Sequence, residues 1–124
     1  MKHISTGSPF EAKLAYSRAV VKGGWCFVSG VTGYDYARMV MPETALEQAR
    51  NCMRTIAGVL VQVGFDMADI VRVQYTITDA ALVDEIAPAL AEALADVMPA
   101  ATMVVAGLIR PEMLVEIEVT AFKG

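Results

Sequence analysis

The side chains equipped for chemistry in this sequence are mainly carboxylates, hydroxyls, tyrosines and arginines. Near the C-terminus, Val115, Ile117 and Val119 alternate with Glu116 and Glu118. Successive side chains of a β-strand point to opposite faces, so both glutamates are expected on one face and the aliphatic side chains in a core. Taken by itself, this pattern fits a solvated strand carboxylate at Glu116 better than a catalytic one.

Several common chemistries are not supported by the residue pattern. His3 is the only histidine and is expected in a mobile N-terminal arm, residues 1–12, so a Ser-His or Cys-His nucleophile pair is not predicted. No cluster of His and Cys has the spacing of metal ligands, so no metal site is predicted. Gly30 and Gly33 lack the strand–GxGxxG–helix context and the P-loop lysine of nucleotide sites. No cofactor is expected.

The N-terminal half predicts a hairpin that would carry Tyr16 and Arg18. Residues 14–21 are expected to form a strand with these two side chains on one face. Gly23 and Gly24 signal a turn, and residues 25–29 are expected to return as the second strand. Residues 39–41 are a candidate short strand.

Two helices and three further strands are expected after the hairpin. A helix is predicted from Pro42 to about Gly64, because apolar residues recur at steps of three and four. These residues are Leu46, Ala49, Met53, Ile56, Leu60 and Val63. A strand at residues 70–78 alternates apolar side chains, beginning with Val71, with polar ones. The second helix is expected to bury Ile86, Leu90, Ala93, Leu94 and Val97. Asp79 and Asp84 are alternative caps for it, and Pro88 must lie in its first turn or kink it.

The order β-β-α-β-α-β-β predicts one α+β domain, residues 1–124, with both helices on one face of the sheet. The other face is expected to be half polar. By strand parity it would carry Tyr16, Arg18, Arg72, Gln74, Glu116 and Glu118. Such a face needs water or a partner.

Composition favours an assembly of identical subunits. Of the 124 residues, 56% are hydrophobic and only 19% are charged, which is a surplus of apolar side chains for one small domain. We therefore expect a homo-oligomer. The net charge of −4 and the absence of a basic run argue against nucleic-acid binding.

The remaining composition signals favour a cytoplasmic protein. Cys26 and Cys52 form no CxxC unit and are interpreted as free thiols of a reducing compartment. No secretory signal core is present, and no apolar run approaches the ~20 residues needed to span a membrane. We expect no membrane association.

Several short motifs, in order along the chain, resemble those of the Rid (YjgF, reactive-intermediate deaminase) family. They are Tyr16, Ser29-Gly30, Asp69-Ile70-Val71, Pro99-Ala100 and Val115-Glu116-Ile117-Glu118-Val119. The resemblance implies a chorismate-mutase-like α+β fold with a five- to six-stranded mixed sheet. It further implies homotrimers with pockets at the subunit clefts, and hydrolysis of small enamines or imines to a keto acid and ammonia.

The resemblance also implies site residues. Glu116 and Tyr16 would be catalytic, with Glu116 positioning or activating water or protonating the leaving nitrogen. A carboxylate sheltered from solvent has a raised pKa, which suits such proton transfer near neutral pH. The expected ligand-binding residues are Ser29, Gly30, Ala101, Thr102 and Met103. Glu118 is interpreted as structural.

The sequence departs from the family pattern at Ala101. Deaminating members carry an arginine there, which clamps the substrate carboxylate through two hydrogen bonds. Loss of such a desolvated pair costs about 2–5 kcal/mol. Arg18 is the preferred substitute, because it is expected on the same strand face as Tyr16, and Arg110 is the alternative. Ala101 and Met103 together predict a small, less acidic and more hydrophobic ligand.

Three functions follow from these observations. The first is a hydrolase of small imines, enamines or related metabolites. The second is a non-catalytic trimeric protein that binds or senses a metabolite in the same cleft. The third, a ribonuclease or translation inhibitor, is a label often attached to relatives, and the acidic charge and the lack of a lysine cluster disfavour it.

Overall fold

The strands form one mixed sheet in the order β1-β2-β3-β6-β4-β5, in a computed structural model that describes residues 1–124. The strands are β1 Lys2–Ile4, β2 Ala19–Lys22, β3 Trp25–Thr32, β4 Ile70–Ile77, β5 Ala100–Val105 and β6 Val115–Phe122. The helices are α1 Pro9–Leu14, α2 Ala45–Gln62 and α3 Leu82–Leu94, with a 3-10 turn at Met67–Asp69. Only β4 and β5 are parallel. The predicted α+β class with a five- to six-stranded mixed sheet is confirmed, and the sheet has six strands.

Helix α2 carries the predicted apolar stripe, but it starts later than Pro42. Thr44 is its N-cap, and the Thr44 hydroxyl accepts a hydrogen bond of 3.3 Å from the amide of Glu47. This bond satisfies one of the free donors of the first turn and sets the start of the helix. Its buried side includes Ala49, Cys52, Met53, Ile56 and Leu60. This stripe and α3 cover the same face of the sheet.

Helix α3 differs from the prediction at its start and at Pro88. Ala81 is the N-cap and makes no side-chain capping bond. Asp79 lies in the turn before the helix, where its carboxylate accepts a hydrogen bond of 2.8 Å from the amide of Ala81. Pro88 lies inside the helix rather than in its first turn. Pro88 is exposed, and so is Asp84, whose carbonyl loses its intrahelical donor. The proline is therefore tolerated on the solvent side.

The N-terminal segment is folded, which corrects the predictions of a mobile arm and of a strand at residues 14–21. Ser8 caps α1 by accepting from Phe10 at 3.3 Å, and Pro9 occupies the first turn, where its missing N–H costs nothing. His3 lies in β1, paired with Val20. Tyr16 and Arg18 consequently lie in the connection before β2 and share no strand face.

Two irregularities change the predicted faces of the sheet. Val71 is 44% exposed, because the pairing of β4 with β6 shifts between Ile70 and Arg72. A second shift lies in β3. Residues 39–41 form no strand, and only Val40 makes a single bridge, to Asp35.

The face without helices is more apolar at one end than strand parity predicted. Trp25, Phe27 and Phe122 are 43%, 48% and 40% exposed, and the Trp25 ring lies 4.5 Å from the Phe122 ring and 6.2 Å from the Phe27 ring. We call these three residues the aromatic patch. None of the three helices is long and apolar enough to cross a bilayer.

Candidate functional site

The centre of the candidate site is a β-bulge in β3. Val28 pairs with Val119 and Val31 pairs with Ile117, so two residues of β3, Ser29 and Gly30, lie opposite one residue of β6. The extra residue keeps Val28 and Val31 both buried although they are three positions apart. Bulges of this kind redirect the side chains and backbone groups around them.

Glu116 packs directly against this bulge. A Cβ atom built on Gly30 would lie 2.6 Å from Cδ of Glu116 and 2.8 Å from its Oε1, so the carboxyl group fills the space that any other residue would need. Glu116 is half-buried and pairs in register with Thr32 and Thr76. Burial raises the pKa of Glu116, Glu118 raises it further, and Arg18 opposes both. The carboxyl is thus suited to proton transfer.

Arg18 lies behind the bulge and is completely buried. Its Nη1 donates to the carbonyl of Gly30 at 2.8 Å, and its Nη2 is 3.5 Å from the hydroxyl of Tyr16. The guanidinium carbon lies 4.8 Å from the centre of the Tyr36 ring. Arg18 is therefore next to the expected site, but it is not an open clamp for a ligand. The alternative, Arg110, is exposed and lies 5.1 Å from the Phe10 ring.

Tyr16 and Ser29 border a surface concavity of about 520 Å³. The hydroxyl of Ser29 donates to the carbonyl of Ser17 at 2.7 Å, and burial raises the pKa of Tyr16 while Arg18 lowers it. His3 and Glu11 also line this concavity, and Nδ1 of His3 lies 2.9 Å from the hydroxyl of Ser17.

Sequence reasoning missed His3 and Glu11 as neighbours of the site. The available signal was Ser8 followed by Pro9, which marks a helix start and places Glu11 in the first turn of α1. The amide and the hydroxyl of Thr6 donate to the Glu11 carboxylate at 3.0 and 2.6 Å.

The other predicted binding residues lie on β5, which is an edge strand of the sheet. Ala101 and Met103 pair with Val73 and Tyr75 of β4, on the face that carries the helices. Thr102 faces the other way, and its hydroxyl accepts from Nη2 of Arg72 at 3.2 Å. Strand β4 separates β5 from β6, so within one chain these residues are about 10 Å or more from Glu116.

Ala101 forms part of an apolar pocket of about 320 Å³ between the end of α3 and the sheet. The pocket is lined by Val73, Tyr75, Leu90, Ala91, Leu94, Ala95, Met98, Pro99 and Ala101. The Tyr75 side chain is 6% exposed, and burial raises the pKa of its hydroxyl, with no hydrogen bond contributing. No cationic side chain lines this pocket.

The loop aromatics and the cysteines have mainly structural surroundings. The hydroxyl of Tyr36 accepts from the amide of Thr32 at 3.0 Å, which holds the loop after β3 against Arg18. The hydroxyl of Tyr34 donates to Glu112. Both cysteines are buried and free, and no three His, Cys, Asp or Glu side chains converge as metal ligands would.

The chain matches known proteins over nearly its whole length. Residues 6–123 match the sequence profile described as endoribonuclease L-PSP. The crystal structure of Rv2704 from Mycobacterium tuberculosis, a member of the YjgF/YER057c/UK114 family, superposes with a TM-score of 0.89 at 35% identity and covers 98% of each chain. NMB1025 from Neisseria meningitidis, of the YjgF family, gives a TM-score of 0.83 at 31% identity, covering 99% of this chain and 94% of that one.

The chain is also similar in sequence to a curated fungal protein. Protein mmf2 of Schizosaccharomyces pombe, described as mitochondrial, is 35% identical over 109 residues, which are 86% of this chain and 79% of mmf2. The cytoplasmic location of the present chain stays a prediction. The profile match over residues 6–123 and the two structures assign the chain to the YjgF/Rid family.

Proposed function

We propose that this protein is a hydrolase of small imines or enamines that works as a homotrimer, with its sites in the clefts between subunits. The proposal rests on how the candidate residues are divided. Glu116, Ser29 and Gly30 lie on the two central strands, β6 and β3, whereas Ala101 and Met103 lie on the edge strand β5. Such groups meet when the β5 edge of one copy approaches the bulge of the next.

The aromatic patch supports the assembly. Three large aromatic side chains, each at least 40% exposed, lie together on the sheet face that no helix covers. Contiguous exposed apolar surface of this kind marks an interaction site. A second copy of the chain is the occupant that the high apolar content of the sequence favours.

In the proposed reaction, water adds to the carbon of the C=N bond. Glu116 takes a proton from the attacking water and delivers it to the nitrogen, which gives a carbinolamine. It then carries the hydroxyl proton of the carbinolamine to the nitrogen, the C–N bond breaks, and ammonia leaves with the pair of electrons from that bond. The carbon keeps the oxygen of the water and becomes a carbonyl. Tyr16 orients the substrate, and the backbone at Ser29 and Gly30 forms hydrogen bonds with it. A positioned acid or base contributes about 10²–10⁴-fold to such a step.

The observation that carries the proposal is the contact between Glu116 and Gly30. This half-buried carboxyl is packed against a bulge, next to a buried guanidinium, rather than extended into water. A solvated structural glutamate, such as the exposed Glu118 on the same strand, has none of these features.

The substrate that fits best is small and apolar. Ala101 offers no guanidinium to a carboxylate, and the pocket beside it has mostly hydrophobic walls. We therefore favour imines without a carboxylate over 2-imino acids, whose negative charge would have no partner at this edge.

The test compares imines made in situ from apolar primary amines, by an amine oxidase, with those made from amino acids, by an amino-acid oxidase. Ammonia release above the uncatalysed rate is the measurement. We expect faster hydrolysis of the amine-derived imines, and a loss of about 100-fold or more in Glu116→Gln. Glu43→Gln, at an exposed position before α2, is the control and keeps the wild-type rate. A preference for the imino acids would contradict the proposed substrate.

The second candidate is a non-catalytic trimer that binds a metabolite in the same clefts. The apolar pocket at Ala101 favours it, because such a pocket can hold a ligand without any reacting group. A ligand that binds but is not turned over, and whose affinity is the same in Glu116→Gln as in wild type, would support this candidate over the hydrolase. Ribonuclease activity has no comparable support, because the net charge of −4 opposes binding of a polyanion.

A further inference from the structure

Arg18 is a permanently charged side chain in a place where charge is costly. It is 0% exposed, and its Nε is the only buried side-chain nitrogen or oxygen that has no hydrogen-bond partner. The ion pairs of the structure involve Arg38 and Arg50, not Arg18. A buried guanidinium without a direct carboxylate partner requires some other compensation.

Part of that compensation comes from the bulge, which Arg18 contacts with both its backbone carbonyl and its guanidinium group. The Arg18 carbonyl accepts from the amide of Ser29 at 2.9 Å, and the guanidinium donates to the carbonyl of Gly30 at 2.8 Å. The rings of Tyr36 and Tyr16 lie 4.8 and 5.6 Å from the guanidinium carbon, which is the geometry of cation–π contacts. Arg18 therefore fixes both bulge residues.

The rest of the compensation lies across Gly30. The Glu116 carboxyl packs against the Cα of Gly30, and the Arg18 guanidinium donates to the Gly30 carbonyl. Gly30 alone therefore separates these two side chains. The neighbours that pair with Glu116 from β3 and β4, Thr32 and Thr76, are uncharged.

The titratable groups around this pair are few. Glu118, two positions from Glu116 on β6, carries a like charge. On α2, burial and, to a lesser extent, the charge of Glu116 raise the pKa of the Cys52 thiol. Tyr16, Tyr36 and Glu11 surround Arg18 itself. Arg18 is thus the only positive group that acts on Glu116.

We infer that Arg18 is a positioning residue of this site, which holds the Ser29–Gly30 bulge in place against the Glu116 carboxyl and supplies the positive charge behind it. This inference rests on the proposed function for its consequence. If the site binds an imine as proposed, Arg18 fixes where the backbone groups of the bulge lie relative to Glu116.

The experiment titrates Glu116 by carboxyl ¹³C NMR in the free, full-length protein, with the signal assigned by its absence in Glu116→Gln. Arg18→Gln is expected to raise the midpoint of Glu116 by about one unit or more, since loss of a nearby opposite charge shifts a carboxyl by that much. Arg18→Lys, which keeps the charge, is expected to restore most of the difference. Arg72→Gln removes a cation from the same sheet face, four positions from the Thr76 that pairs with Glu116, and leaves the midpoint unchanged.

An unchanged midpoint in Arg18→Gln would overturn the inference. Should that variant fail to fold, Arg18→Lys decides, because a lysine lacks the planar fork that reaches the Gly30 carbonyl. The amide signals of Gly30 and Val31 then move if Arg18 holds the bulge, and stay in place if it does not.

The titration needs no ligand, so it remains decisive even if no imine is hydrolysed. Conversely, if Arg18→Gln hydrolyses imines at the wild-type rate with the wild-type pH profile, the positioning role fails while the proposed function stands.

Discussion

The amide of Leu114 donates a hydrogen bond of 2.9 Å to Oε1 of Gln48, although the two residues are 66 positions apart. The Nε2 of Gln48 also donates to the carbonyls of Pro42 and Glu112, at 2.9 and 3.0 Å. One side chain from α2, only 1% exposed, thus joins the loop that precedes its own helix to the loop that leads into β6. Gln48 therefore holds the loop that comes directly before β6, the strand that carries Glu116.

Gln48→Ala is expected to lower the free energy of unfolding by about 2–4 kcal/mol, because it leaves three backbone groups without partners in a region closed to water. Urea denaturation followed by circular dichroism measures the change. Gln62→Ala, an exposed position at the end of α2, is the control and stays within about 0.5 kcal/mol of wild type. A loss no larger than that of the control would contradict this role of Gln48.

Gly30→Ala is expected to displace the Glu116 carboxyl and to lower the proposed hydrolysis by at least tenfold. Gly30 has no positive φ, so the residue is needed for space and not for backbone freedom. The added methyl group is also expected to cost about 1–3 kcal/mol of stability.

The matched control for Gly30 is Gly58→Ala in α2, where a Cβ atom meets nothing within 4 Å. Alanine is the better helix former by about 1 kcal/mol, so this variant is expected to be slightly more stable and equally active. Equal behaviour of the two alanine variants in the hydrolysis assay would remove the steric argument for Glu116.

Phe27→Asp is expected to convert the proposed trimer into monomers at micromolar concentration, because it introduces a charge into the aromatic patch. Light scattering coupled to size-exclusion chromatography gives the mass directly. Val61→Asp, at a position of α2 that is 68% exposed, is the control and keeps the wild-type mass. A wild-type protein that is itself a monomer would refute the proposed assembly.

Ala101→Arg is expected to shift specificity toward 2-imino acids, with a gain in kcat/KM of about tenfold or more for imines derived from amino acids. The guanidinium would supply the missing partner for the substrate carboxylate, a contact worth about 2–5 kcal/mol when desolvated. Thr102→Arg places the same charge on the other face of β5 and is expected to produce no such gain. Equal gains in both variants would show that only net charge matters.

The contact between Tyr34 and Glu112 predicts a loss of stability at alkaline pH. Burial, followed by the hydrogen bond to Glu112, raises the pKa of Tyr34 from 10.0 to about 12. Because the unfolded chain ionises Tyr34 first, its contribution is complete below pH ~10 and is lost as the pH rises toward 12. The midpoint of urea unfolding, measured from pH 8 to about pH 11, is expected to fall more steeply for wild type than for Tyr34→Phe. Parallel curves would contradict the assignment.

Local periodicity was sufficient to predict α2, α3 and the inward and outward faces of β6. These elements are long and regular, so the burial of Ile56 or Ile117 follows from spacing alone. The same reasoning failed at α1, a six-residue helix whose formation depends on Ser8, Pro9 and contacts with the rest of the fold.

The bulges in β3 and β4 were also outside its reach, because strict alternation assumes a regular strand. This is why Val71 was assigned to the wrong face. The burial of Arg18 was not predicted either, because the predicted hairpin strand placed it on an open sheet face. No local pattern shows that a charged residue will be covered. The division of the candidate site between the central strands β3 and β6 and the edge strand β5 depends on strand order, which the sequence alone did not specify.

Strand β5 has one hydrogen-bonded neighbour, β4, so its other side presents free backbone N–H and C=O groups next to exposed aliphatic side chains such as Val105. An unprotected strand of this kind is a template for uncontrolled pairing with other chains. In the proposed trimer, quaternary structure would therefore safeguard solubility as well as complete a binding cleft, and a subunit released on dilution would be prone to aggregate.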